Sequence, residues 1–143
     1  MSAARAPQID LIRLTRRAQF LFVREGLRAS RANVLIEARR RADSGPTGVG
    51  FTASKKVGSA VLRNRARRRL REAARPLLAE YGLPGVDYVL VARQSTPDAA
   101  WEALLDDVGN ALIRLRADLS AGRGQNPRKS KPAKPRSRAT ESD

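Results

Sequence analysis

Residues 55–75 constrain the fold more than any other part of the chain. They read Lys-Lys-Val-Gly-Ser-Ala-Val-Leu-Arg-Asn-Arg-Ala-Arg-Arg-Arg-Leu-Arg-Glu-Ala-Ala-Arg, nine cations against the single acid Glu72. An apolar stripe runs beneath the charge. Leu62, Ala66, Leu70, Ala73 and Leu77 are spaced 4, 4, 3 and 4 apart, the signature of one helical face. Arg63, Asn64, Arg65, Arg67, Arg68, Arg71 and Arg75 then fan around the rest of the cylinder. Such a helix must bury its stripe and leave a broad guanidinium surface, whose planar forks match phosphate. A solvated surface helix is the plainer alternative, but those usually mix signs. Here Arg63/Arg67, Arg67/Arg71 and Arg71/Arg75 are like-charge i,i+4 pairs, each costing about 0.2–0.5 kcal/mol when nothing partners them. A polyanion relieves that repulsion, so the stretch predicts nucleic-acid binding.

The rest of the composition narrows the chemistry. With 29 Lys/Arg against 14 Asp/Glu, the formal charge is +15, which attracts polyanions. The 143 residues contain no cysteine and no histidine, so there is no thiol nucleophile, no Cys-based zinc site and no imidazole base. A self-sufficient hydrolase would need carboxylates alone. No apolar run reaches the length of a membrane span, and the N-terminus lacks a signal-peptide core. The expectation is a cytoplasmic protein with no membrane association and no evident protein partner.

Three segments follow from patterning: a flexible N-terminal arm (1–13), one folded domain (14–122) and a basic disordered tail (123–143). The tail holds seven Lys/Arg and three prolines. Within the domain, Thr15 is expected to cap a helix over 16–25, with Gly26 at its end. Phe20 and Val23 share one face of that helix. Phe20 packs into the core or, beside Arg16 and Arg24, offers a stacking platform for an unpaired base. Residues 33–39 and 48–54 read as strands around an Asp43-Ser44-Gly45-Pro46 turn. In the second strand Val49, Phe51 and Ala53 line one face. Gly50, Thr52 and Ser54 leave the other smooth enough for a backbone or nucleotide to approach. Pro76 is expected to end or bend the basic helix. Residues 86–93 are the strongest strand, β-branched and nearly continuous, hence central. The last helix is expected to start with Thr96 as N-cap and Pro97 at N1 and to end at Gly122. Asp98, Glu102 and Asp106 form an acidic row there, read as a solvated face and not a metal site. The order α-β-β-α-β-α gives an α+β sandwich, a sheet with helices packed on it.

Phe51-Thr-Ala-Ser-Lys-Lys-Val-Gly-Ser-Ala-Val-Leu-Arg-Asn-Arg-Ala-Arg-Arg-Arg-Leu-Arg-Glu72 resembles the signature of the bacterial ribonuclease P protein subunit. Leu14 to Phe20 is similar to that family's first helix, and Gly85 to Arg93 to the strand after its signature helix. The resemblance spans about residues 10–119. It implies a small ribosomal-protein-like fold with a left-handed crossover, against the usual right-handed rule. It also implies a role in removing the 5′ leader of precursor tRNA, with the active site and its Mg²⁺ in a catalytic RNA subunit and no catalytic residue or metal site in the protein. Carried over residue by residue, Lys55, Lys56, Arg63, Asn64, Arg65, Arg67, Arg68, Arg69 and Arg71 would contact RNA. Phe20, with Arg16 and Arg24, would line a cleft for the precursor-tRNA leader. The chain departs from the pattern in three places. Ser59 stands where the family commonly has Asn, Ile36 where relatives often have Tyr, and the second cleft aromatic has no clear counterpart, Phe22 being off-phase. Two other readings use the same residues: a ribosomal protein or RNA chaperone, and a protein-only nuclease built on the acidic row.

Overall fold

The computed structural model describes residues 11–123. Five strands form one sheet in the order β1-β4-β5-β3-β2: β1 Leu11–Arg13, β2 Leu27–Ser30, β3 Val34–Arg40, β4 Thr47–Thr52 and β5 Val86–Ala92. Strand β5 is central, as its continuous apolar run requires, lying parallel to β4 and antiparallel to β3. A parallel β4/β5 pair needs a crossover. It is made by a single 3₁₀ turn at Lys55–Val57 and the 22-residue helix α2, Ala60–Tyr81. The other helices are α1, Arg17–Arg24, and α3, Trp101–Ser120.

Alternation along the strands divides the sheet into two faces. Val34, Ile36 and Ala38 of β3, Val49 and Phe51 of β4, and Val86, Tyr88 and Leu90 of β5 face α2 and α3. The helices answer with Ala66, Leu70, Ala73, Ala74 and Leu78 of α2 and Leu104, Val108, Leu112, Leu115 and Leu119 of α3, all buried. The stripe predicted for α2 is therefore the buried one, rotated slightly past Pro76 so that Leu78 is more deeply buried than Leu77. Besides the buried Thr47 hydroxyl, which donates to Leu83 O at 2.9 Å, this face takes in the phenol of Tyr88. Its oxygen accepts a hydrogen bond from the Leu83 N–H at 3.2 Å, and burial pushes the phenol up to about 12.

Helix ends are satisfied by local caps and by side chains from other elements. The Ser59 hydroxyl accepts from the Leu62 N–H, capping α2 right after Gly58, whose φ of 137° suits glycine. Arg116 donates to the Tyr81 and Gly82 carbonyls at the far end of α2, and Arg40 donates to Leu119 O at the end of α3. Cations at helix C-termini also match the dipole. Gly122, at φ 85°, closes α3 with bonds from Gly122 N to Leu119 O and Arg123 N to Asp118 O.

The structure corrects several expectations. The element order is β-α-β-β-β-α-β-α, because β1 and β2 join the sheet at its two edges. Strands of three and four residues are too short to show a period in sequence, and β1 lies within what was expected to be the arm. Thr15 does not cap α1. Arg16 holds the N-cap position, and Gln19 Oε1 accepts from both the Thr15 and Arg16 N–H groups at 2.9 Å. Pro76 does not end α2; the helix runs through it, with Glu72, Arg75 and Pro76 all exposed, so water can reach the carbonyl left without a donor. Thr96 does not start α3. Its hydroxyl donates to Asn33 O and accepts from Arg93 N, tying it to the strand ends, and the helix begins only at Trp101. Asp98 thus precedes α3, and the acidic row is not one helical face. The expected tail beyond residue 123 and arm before residue 11 lie outside the described residues.

Candidate nucleic-acid interface

The second face of the sheet is only partly covered. Register pairs its residues into cross-strand rows: Ile12–Gly48–Asp87–Arg39, then Gly50–Val89–Glu37–Arg28, then Thr52–Val91–Leu35–Ser30. The eight-residue α1 lies over the first two rows and leaves the third open. Val23 is fully buried against Leu14 and Val89, and the Phe20 ring rests on Gly50. A Cβ at Gly50 would come within 2.6 Å of that ring, so the small residue foreseen as a site of close approach receives a phenylalanine. Two devices hold α1 down at its C-terminal end. The Arg39 guanidinium lies 4.2 Å over the Phe22 ring and donates to Phe22 O at 3.1 Å. Gly26 then passes so close to β3 that a Cβ would stand 2.4 Å from Ala38 O; its use is this contact, not a left-handed cap.

Between α1 and the uncovered row runs a cleft of about 390 Å³, lined by Phe20 and Arg24 from the helix, by Leu35, Glu37, Thr52, Val89 and Val91 from the strands, and by Ala53 and Ser54 just past β4. Phe20 and Arg24 are thus brought together in it; Arg16, at the N-cap of α1, is not among its lining residues. At Ser54 the cleft meets a second basin of about 550 Å³, where Lys56, Arg93, Gln94 and Ser95 surround the end of the sheet. The strand contributions Leu35, Glu37, Val89 and Val91 were missed in the sequence. Their signal was alternation itself, since they occupy the positions between Val34, Ile36, Tyr88 and Leu90.

The basic segment starts where the cleft ends. Lys55, Lys56, Asn64, Arg65 and Arg68 are exposed, and Arg63, Arg67 and Arg71 are half-buried around α2. Among the described residues, no carboxylate pairs with Lys55, Lys56, Arg63, Arg67, Arg68, Arg71 or Arg75. Arg65 meets Asp98 at 3.1 Å in an exposed pair of little energetic weight. Arg67 donates to Asn64 Oδ1, and Arg71 lies 5.8 Å over the Phe51 ring. Arg69 is different. Its guanidinium donates to Thr96 O at 2.7 Å, Pro97 O at 3.0 Å and Ala99 O at 2.6 Å, and it faces the Trp101 ring at 5.7 Å. It fastens the approach to α3 onto α2. Among the described residues, no three His, Cys, Asp or Glu side chains come together as a metal site, and no helix is long and apolar enough to cross a membrane.

Comparison with known proteins decides the family. The family model for Ribonuclease P matches residues 10–116. The chain belongs to the ribonuclease P protein family. The ribonuclease P protein component of Caulobacter vibrioides is 50% identical over 121 residues, covering 83% of this chain and 81% of that protein. That of Ruegeria pomeroyi is 48% identical over 107 residues, covering 73% and 86%. Among solved structures, the ribonuclease P protein from Thermotoga maritima aligns with a TM-score of 0.61 at 23% identity, over 72% of this chain and 96% of that one. A Staphylococcus aureus ribonuclease P protein mutant aligns at 0.63 and 22% identity, over 73% and 87%. The α+β fold of this chain is therefore that of ribonuclease P proteins. Membership makes it the protein component of an endoribonuclease holoenzyme that works in tRNA processing together with an RNA subunit.

Proposed function

We propose that the protein binds the catalytic RNA of ribonuclease P through Lys55, Lys56 and the free arginines of α2, and guides the 5′ leader of precursor tRNA along the α1 cleft. The observation that carries this reading is the junction at Ser54, where a half-covered sheet face runs directly into an unpaired cationic surface. A single strand needs apolar surface for its bases and cations for its phosphates. Phe20, Val91 and Leu35 supply the first, and Arg24 and Lys56 the second. A folded RNA needs mainly phosphate contacts, which position it without reading its sequence. Placing about 5–8 cations on phosphate would release counterions and offset repulsion between catalytic RNA and substrate.

Mg²⁺ belongs to the RNA subunit in this reading, since the acids among the described residues are dispersed or paired with arginines. There it supplies Lewis-acid stabilisation and an activated water. The protein's own part is binding and orientation in the cytoplasm. The test is cleavage of a 5′-extended precursor tRNA by bacterial ribonuclease P RNA at limiting Mg²⁺, with and without the protein. Strong stimulation is expected, with no cleavage by the protein alone. Absence of stimulation with the cognate RNA overturns the reading.

A further inference from the structure

The loop between β5 and α3 carries a charge that the proposed function does not use. Asp98 Oδ1 accepts from Arg65 Nη1 at 3.1 Å. The pair sets Arg65 apart on the basic surface, since among the described residues no carboxylate pairs with Lys55, Lys56, Arg63, Arg67 or Arg68. The backbone around Asp98 is fixed from several sides. Arg69 donates to the carbonyls of Thr96, Pro97 and Ala99, and the Thr96 hydroxyl donates to Asn33 O. The Asp98 and Ala99 N–H groups both donate to Ser95 O, at 3.1 and 2.8 Å. The carboxylate is therefore delivered to a set place beside the first turns of α2, where Arg65 is its one hydrogen-bond partner among the described residues. Both side chains remain open to solvent, 46% exposed for Arg65 and 77% for Asp98, so an RNA phosphate can reach the same guanidinium. Carboxylate and phosphate oxygens accept from its N–H groups in the same way. A phosphate arriving there displaces the carboxylate or stands beside a like charge, and both weaken the contact.

We infer that Asp98 is an autoinhibitory counter-ion of the RNA-binding surface, holding Arg65 in the free protein and giving it up when the catalytic RNA places a phosphate there. An exposed pair of this kind is weak. An RNA already held by neighbouring cations such as Lys56 and Arg68 presents its next phosphate at high effective concentration, which suffices to displace a single carboxylate. The inference rests on the proposal that α2 binds catalytic RNA, and it adds what Arg65 must release first.

The full-length protein would be titrated onto bacterial ribonuclease P RNA at low and at high salt, as wild type, Asp98→Asn, Arg65→Ala, the double variant and Arg68→Ala. Asp98→Asn keeps the side-chain shape and removes the charge, and its thermal melt is expected to match wild type because both partners of the pair are exposed. It is expected to bind the RNA about 2–5-fold more tightly at low salt. The gain should shrink at high salt, which screens the competing pair. Arg65→Ala is expected to weaken binding, and most of the Asp98→Asn gain is expected to vanish in the double variant, where no guanidinium is left to withhold. Unchanged or weaker binding by Asp98→Asn overturns the inference, the carboxylate then being a bystander or a support for Arg65. A gain that survives largely intact without Arg65 overturns it too, because Asp98 would then act on the RNA as diffuse charge. If Arg65→Ala leaves affinity unchanged while Arg68→Ala lowers it, Arg65 is no RNA contact, and the inference falls while the basic surface stands. If neither arginine matters, the reading of α2 as the RNA-binding surface fails, and this inference with it.

Discussion

The two faces of the sheet are built by opposite means. The face under α2 and α3 is sealed by two helices of 22 and 20 residues and held by aliphatic side chains, with one tyrosine hydroxyl in a self-contained bond. The face under α1 has one helix of eight residues and is tied together by charge: Arg28 to Glu37, Arg41 to Asp87, Arg41 to Asp43, and Arg39 on Phe22. Apolar burial is non-directional and supplies stability. Ion pairs and cation–π contacts fix directions but contribute less. The molecule keeps its stability on one side of the sheet and so leaves the other free to present a shaped, incompletely covered surface.

The largest expected effect tests that division. Leu70→Ala, at a fully buried position of the sealed face, should cost about 2–5 kcal/mol of unfolding free energy by transfer and cavity terms together. Val91→Ala, half-buried in the open row, should cost under about 1 kcal/mol, because little surrounding structure loses contacts. Urea denaturation reads both directly. Equal losses at the two positions would mean that the α1 face carries as much of the stability as the sealed one.

A subtler contrast lies within α2. Arg69→Ala strips guanidinium donors from three carbonyls in the approach to α3 and should cost about 1–3 kcal/mol of stability. The salt dependence of RNA binding should hardly change. Arg68→Ala should do the reverse, leaving stability within about 0.5 kcal/mol and lowering the salt slope by about 1. Thermal melts and binding titrations against salt separate the two arginines. A reduced salt slope in Arg69→Ala would show that this guanidinium leaves its carbonyls for phosphate.

That pair of neighbours also marks the limit of what the sequence made legible. The stripe Ala66–Leu70–Ala73 and the run Val86–Leu90 announced a buried helix face and a central strand, because burial writes a period into many residues at once. The basic surface was equally readable, whereas Phe20 read equally as core or stacking platform, and only the family resemblance put it in a cleft with Arg24. Arg69 looked like its neighbours, since its distinction depends on carbonyls about thirty positions away. Strands β1 and β2 were invisible for a related reason: three or four residues at a sheet edge owe their form to a partner strand. Thr96-Pro97-Asp98 carried every local sign of a helix start. The stronger demand came from Asn33 O and Arg93 N, which took the threonine hydroxyl and delayed the helix to Trp101.

The smallest effect belongs to the charge network at the far end of the α1 face. Arg41 donates to Asp43 and to Pro46 O, while Asp43 Oδ1 also accepts from Gly45 N, so the β3–β4 turn is organised around this one carboxylate. The Arg41 hydrogen bond, then the Gly45 N–H, hold the Asp43 carboxyl below its ordinary value. A lowered folded-state value means that the unfolded chain binds the proton first as the pH drops. The stabilisation is therefore complete above the unfolded value near 3.8 and is lost as the pH falls through the lower folded value. Asp43 is exposed, so solvent screens the pair and the loss should be slight. Wild type should lose slightly more stability than Asp43→Asn between pH 4 and pH 2, measured by urea midpoints at each pH. High salt should shrink the difference between the two proteins above pH 4, because it screens the pair in the wild type alone. A sealed-face substitution such as Leu70→Ala removes no charge and should show the same destabilisation at every pH in that range. If the Asp43→Asn difference proved independent of both pH and salt, the turn would be held by its backbone alone, and charge would have no part in shaping this end of the α1 face.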